Sequence, residues 1–184
     1  SLCAIICERV LMASITAVHE AGHTVAYSRL FPDSLGFGVA IGSDEEQEEQ
    51  GLAGWSLNGY EDDHATAESE FAAYLCAGYA AVLIAGYSED EAAAGCGNDF
   101  SRVHGDLAVA KVKAIDLMRR PENVKAVNRI ADELMRRQRL HPDHVEQLIN
   151  LSDGEVTESE YQEMLSFRGW CGDDPTLEPD ALQD

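Results

Sequence analysis

Positive charge is scarce in this chain. Thirteen Lys and Arg stand against 34 Asp and Glu, a formal net charge of −21 over 184 residues. Phosphate backbones are bound by clustered Lys and Arg, so the balance excludes a nucleic-acid partner. It also speaks against docking on an anionic membrane surface. A charge of this size favours solubility and says little about fold. Long apolar runs are missing too. The stretch Leu2–Cys7 stops at Glu8 and Arg9, well short of the roughly 18–20 residues a bilayer span needs. With no basic leader before it and no small-residue cleavage pattern after it, a signal peptide is not expected there, and neither is direct membrane insertion. Cysteines are few and form no CxxC pair: Cys3, Cys7, Cys76, Cys96 and Cys171. That excludes a zinc ribbon and a thioredoxin-like motif, and reduced thiols in a cytoplasmic compartment are the expectation. Cys76, inside an apolar helical run, is expected to act as a small buried hydrophobe. No GxxxxGK[ST] stretch occurs, which leaves no Walker-type phosphate loop in the chain.

The length suits one domain with a real core, and a hydrophobic share of 45% suits a folded one. Residues 1–171 are assigned to that domain. Residues 172–184 are acidic, contain Pro175 and Pro179, and are expected to form a mobile tail. Apolar residues recur at helical spacing along most of the domain. A first helix is expected from about Glu8 to Leu30, on the stripe Leu11, Ile15, Val18, Gly22 and Val25, ended by Pro32 and Asp33. Ser34–Gly42 and Gly51–Asn58 read as two strands of a hairpin, joined by an acidic, solvated loop. A second helix is expected over Asp62–Gly86, a loop over Tyr87–Gly97 and a third helix over Phe100–Arg119. Pro121 opens a fourth, which His141-Pro142 breaks, and Asp143–Leu151 forms a short fifth. Thr157 with Glu160 is a capping-box signature for a last helix to about Ser166. The expected fold class is therefore mainly α (α+β), with a short hairpin beside the first helix.

That first helix contains His19-Glu20-Ala21-Gly22-His23, an HExxH motif. Residues four apart share a helix face, so His19 and His23 can bring two imidazoles to one metal, each about 2.0–2.1 Å from it. Glu20 lies beside that pair and suits a general base acting on water whose pKa zinc lowers towards about 7. The competing explanation is coincidence of three ordinary residues. The fixed spacing within a helical stretch weighs against it. Gly22 adds to this: glycine inside a helix costs about 1 kcal/mol relative to Ala, and a close approach by another element would account for it.

Catalytic zinc needs a third protein ligand and an open position. The pattern HExxHxxGxxH would place Gly at 26 and His at 29, where this chain has Ala26 and Arg29, so that pattern is excluded. The candidates left by the residues themselves are His64, Glu68, Glu70, Asp99, His104 and Asp106.

The stretch Val18–His23 resembles the active-site helix of the FtsH-type ATP-dependent zinc metalloproteases. Cys76-Ala77-Gly78-Tyr79-Ala80-Ala81-Val82-Leu83-Ile84-Ala85-Gly86 is similar to that family's LGGRAAEE…G segment, and Gly97-Asn98-Asp99-Phe100 to its SNDL. Order and spacing agree from about Glu8 to Ser166. HExxH is the specific part, and the other two segments count together. The resemblance implies a helical zinc-peptidase domain with Zn2+ as cofactor, Asp99 as third ligand beside His19 and His23, and Glu20 as catalytic base. Asp99 can alternatively cap the third helix, a role Asn98 fills equally well. The chain departs from the family at Tyr79, which replaces an Arg, and at Val82 and Leu83, which replace two glutamates. These changes touch partner contacts and subunit packing rather than ligands or base. An ATPase partner or a homo-oligomer stays open.

The expected function is a cytoplasmic zinc metallopeptidase acting on peptides or unfolded proteins, with Leu52–Leu57 as an edge for strand addition of substrate. The alternative is a non-catalytic, zinc-containing binding or regulatory module, against which the intact Glu20 argues. A metal-dependent hydrolase of non-peptide substrates is a third possibility that motif chemistry leaves open.

Overall fold

The computed structural model of the protein describes residues 2–32, 38–41 and 65–170. Among these, helix dominates, with one small two-stranded antiparallel sheet. In chain order the elements are α1 (Leu2–Leu30), β1 (Val39–Ala40), α2 (Ala65–Leu75), α3 (Ala77–Ile84), α4 (Glu89–Ala94) and α5 (Gly97–Ser101). They continue with α6 (Leu107–Met118), α7 (Pro121–Arg137), β2 (Arg139–Leu140), α8 (Pro142–Asp153) and α9 (Glu158–Arg168). No described helix is long and apolar enough to cross a membrane.

The long first helix is the axis of the core. It packs against α3 on one side and α7 on the other. Ala17, Ala21 and Val25 are buried along it in steps of four, with Val18 and Ala26 buried beside them. Gly22 allows the approach to α3. A Cβ there would stand 2.6 Å from the Ala81 Cβ and 2.7 Å from the Ala77 carbonyl oxygen. The cost of glycine in a helix is thus matched by backbone contact that no other residue permits. Helix α7 supplies the opposite wall. Pro121 starts it, Ala126, Val127, Ile130, Ala131 and Leu134 form its buried stripe, and Arg136 and Arg137 lie in its last turn, where cations suit the helix dipole. Arg29, near the end of α1, ties the two ends together. Its Nε donates to Asn123 Oδ1 at 2.8 Å, and its guanidinium forks onto Asp153 at 2.6 and 2.7 Å.

Several elements differ from the sequence expectation, each for a local reason. The first helix begins earlier, at Leu2. The second is interrupted at Cys76, and α2 and α3 meet there. The segment 87–97, expected as a loop, contains α4. Ser88 accepts from the Glu91 amide while the Glu91 carboxylate accepts from the Ser88 amide, and Glu89, Asp90 and Glu91 fill the first turn. The expected third helix is two helices, α5 and α6. Gly105, at φ +105°, breaks the run, and Asp106 caps α6 by accepting from the amides of Ala108 and Val109. Strand β1 is two residues long, and its described partner is β2, with Val39 opposite Leu140 and Ala40 opposite Arg139. The expected second strand, Gly51–Asn58, lies outside the described residues, as does the acidic tail. The last helix starts at the expected capping box, where Thr157 and Glu160 exchange hydrogen bonds.

Candidate metal centre

The HExxH stretch lies wholly inside α1. Because the two histidines are one turn apart, both rings project from the same face, and His19 Nε2 stands 3.0 Å from His23 Nε2. The third corner comes from α5. Asp99 Oδ2 is 3.3 Å from His19 Nε2 and 3.3 Å from His23 Nε2. Three ligand atoms thus converge on one point, and His19, His23 and Asp99 form a group that could hold a metal ion. Their side chains are 12%, 6% and 19% exposed respectively, so the group is accessible mainly on the Asp99 side.

Each corner has a visible support. His23 Nδ1 lies 3.0 Å from the Tyr74 carbonyl oxygen. A carbonyl only accepts, so this nitrogen carries a proton, and Nε2 is the nitrogen that faces Asp99. His19 rests on Gly78, where a Cβ would stand 2.5–2.7 Å from three atoms of the imidazole ring. The seat exists because residue 78 has no side chain. Asp99 sits within α5, which follows Cys96 at its N-cap. Neither Asn98 nor Asp99 caps a helix, so the capping role considered for them is filled elsewhere: Cys96 occupies that position in α5 and Asp106 in α6. Beside Asp99, the Phe100 ring meets Tyr79 edge-on at 5.7 Å, and Lys111 Nζ lies 4.3 and 4.4 Å from the two ring centres.

Burial would raise the carboxyl pKa of Asp99. Hydrogen bonds from His19 and His23, and the attraction of both rings, outweigh it and hold the group below the usual carboxylate range. Glu20 behaves in the opposite way. Desolvation by burial pushes it up to about 7, the neighbouring His19 opposes that rise and Asp99 adds to it. Glu20 is 5% exposed. Its Oε2 is buried without a hydrogen-bond partner among the described residues. An orphaned carboxylate oxygen beside this His–His–Asp group is unusual, because such an atom costs about 1–3 kcal/mol when left unsatisfied.

The other candidate ligands fall away from the group. Glu68, His104 and Asp106 line a separate cleft of about 240 Å³ between α2 and α6. Glu70 has a buried, unpartnered Oε2 but does not join the triangle. The side chain of His64 lies outside the described residues. Arg29, standing where a third histidine would fall in the longer pattern, is committed to Asp153 and Asn123. Two features of the site had no sequence signal: the Tyr74 carbonyl behind His23, and Cys96, whose Sγ lies 4.0 Å from His19 Nδ1. The chain matches no family model, no curated protein and no solved structure.

Proposed function

We propose that the protein is a zinc-dependent metallopeptidase of the FtsH type, with His19, His23 and Asp99 as metal ligands and Glu20 as general base. The observation that carries this reading is the convergence of two helical imidazoles and one carboxylate next to a buried, unpartnered glutamate. The donor set fits zinc. Two nitrogens and a carboxylate oxygen match a catalytic site with a fourth position open. Ligands about 2.0–2.1 Å from a tetrahedral ion lie about 3.3 Å from one another, against 3.0, 3.3 and 3.3 Å between these atoms.

Zinc, when bound, supplies Lewis acidity, acidifying water and polarising a peptide carbonyl. The chain's own residues do the rest. Tyr74 keeps the proton of His23 on Nδ1 and so keeps Nε2 available. Glu20 takes the proton of the attacking water on its carboxylate and delivers it to the leaving amine, a role that suits an acid pushed up towards neutrality by burial. Substrates are peptides, flexible termini or unfolded chains, and the compartment proposed is the cytoplasm. A non-catalytic zinc module is the contrary reading. It leaves the cost of an unsatisfied Glu20 oxygen without a purpose.

Metal analysis of the purified chain and single-site variants tests the site. One zinc per chain is expected in the wild type, and its loss in His19→Ala and His23→Ala. Full occupancy in His23→Ala contradicts the site. Retained tight binding in Asp99→Ala moves the third ligand elsewhere.

A further inference from the structure

A histidine that binds metal through one ring nitrogen is oriented by whatever the other nitrogen touches. His23 meets this rule in the ordinary way, through the Tyr74 carbonyl. His19 does not. The described polar neighbour of its Nδ1 is a sulfur, Cys96 Sγ, at 4.0 Å. The thiol's own hydrogen is already used, because Cys96 Sγ donates to the Ala92 carbonyl at 3.0 Å. Its lone pairs are therefore free to accept. Cys96 is fully buried, so water does not compete for them. On another side the imidazole rests against Gly78.

The backbone position of Cys96 matters as much as its sulfur. Cys96 ends the chain segment leaving α4 and is the N-cap of α5, and its carbonyl accepts from the Phe100 amide at 2.8 Å. Asp99 follows three residues later. One residue therefore touches the first ligand with its side chain and sets the start of the five-residue helix that carries the third. The other described free cysteine, Cys76, is equally buried and forms no hydrogen bond with either histidine among the described residues.

We propose that Cys96 is a positioning residue of the metal centre. Its sulfur accepts the Nδ1–H of His19, holds the ring in the tautomer that presents Nε2 to the metal, and couples that ligand to the helix bearing Asp99. This role rests on the metal site proposed above and not on peptide hydrolysis.

The test is zinc affinity, measured by competition with a chromophoric chelator on the full chain, for wild type, Cys96→Ala, Cys96→Ser and Cys76→Ala. Loss of a partner behind a metal-ligating histidine weakens binding by about 10–100-fold, and a sulfur acceptor belongs at the lower end, about 10-fold. Serine is expected to fail like alanine. Its shorter side-chain bond draws the acceptor further from a nitrogen already 4.0 Å away, whereas useful hydrogen bonds to oxygen end near about 3.2 Å. Cys76→Ala is expected to bind as wild type does. In nitrogen-edited NMR of the zinc-loaded chain, an exchange-protected Nδ1–H of His19 is expected in the wild type and is lost in both Cys96 variants, while that of His23 persists. Should Cys96→Ala fail to fold, Cys96→Ser, which leaves a smaller gap than alanine, carries the same comparison. Unchanged affinity in the Cys96 variants overturns the role. So does an equal loss in Cys76→Ala, which would indicate general loosening of the core. A wild type that takes up no zinc overturns the metal site and this role together.

Discussion

Gly78→Ala is expected to separate the proposed metal centre from the fold. The new methyl would stand about 2.6 Å from the His19 ring, and ordinary contact begins at 3.4 Å, so the ring must retreat by about 0.8 Å. The atoms in the way belong to a side chain rather than to backbone, so the protein without metal can yield by turning that ring. Alanine gains about 1 kcal/mol over glycine in a helix, while overpacking costs about 1–3 kcal/mol. The net loss of stability is therefore expected to be between about 0 and 2 kcal/mol. The metal has no such latitude. Ligand distances in a zinc site hold to within about 0.2 Å, and a ring displaced by 0.8 Å opens a triangle whose sides are 3.0 and 3.3 Å.

Zinc affinity is thus expected to fall by about 10–100-fold, the usual cost of disturbing what orients a metal-ligating histidine. Chelator competition reads the affinity, and denaturant unfolding of the metal-free chain reads the stability. A large drop in affinity with a stability loss of no more than about 2 kcal/mol is the predicted pair. Wild-type affinity in Gly78→Ala would refute the account of how His19 is seated.

Gly22→Ala is expected to behave differently, because the methyl meets the Ala77 carbonyl oxygen at 2.7 Å and that backbone cannot step aside. A loss of about 1–3 kcal/mol in chemical denaturation is expected in place of the usual helical gain. Arg29→Ala removes the partner of the fully buried Asn123 and of Asp153, with an expected loss of about 1–3 kcal/mol read in the same assay. Glu160 is held below the ordinary value of 4.5 by hydrogen bonds from the Thr157 amide, first, and hydroxyl. Its folded pKa is depressed, so its contribution is present above 4.5 and is lost as pH falls through the folded value. Glu160→Gln should therefore melt below wild type at pH 7, and the gap should close on acidification; a gap independent of pH would contradict the assignment.

The parts of the fold that could be read in the sequence are those governed by near neighbours. HExxH sits on one helix face because its spacing is four. The Thr157 capping box opens α9 where expected, and Gly22 lies at a close approach between helices. The Ser88–Glu91 box carried the same local signal. It was masked by a Gly- and acid-rich neighbourhood, so α4 was expected as loop. The break between α5 and α6 turns on Gly105 and Asp106, inside a run whose apolar spacing alone reads as continuous. The pairing of Val39 with Leu140 joins residues 101 positions apart, and no local pattern announces it. The same holds at the site. His19, Glu20 and His23 were legible, and Asp99 followed from resemblance. The Tyr74 carbonyl and the Cys96 sulfur become neighbours of the histidines only when α2 and the start of α5 pack onto α1.

The central claim is that Glu20 performs proton transfer at a zinc centre that cleaves peptides. The direct measurement is cleavage of an unbiased peptide library by the zinc-loaded wild type and by Glu20→Gln, with zinc content determined on the same samples. The amide fills the same space, both histidines keep their metal, and no carboxylate accepts the proton. Cleavage by the wild type, and a drop of about 10²–10⁴-fold in Glu20→Gln at unchanged zinc content, is the predicted result. Full activity in Glu20→Gln would contradict the mechanism, and a fully zinc-loaded wild type that cleaves nothing would contradict the peptidase itself.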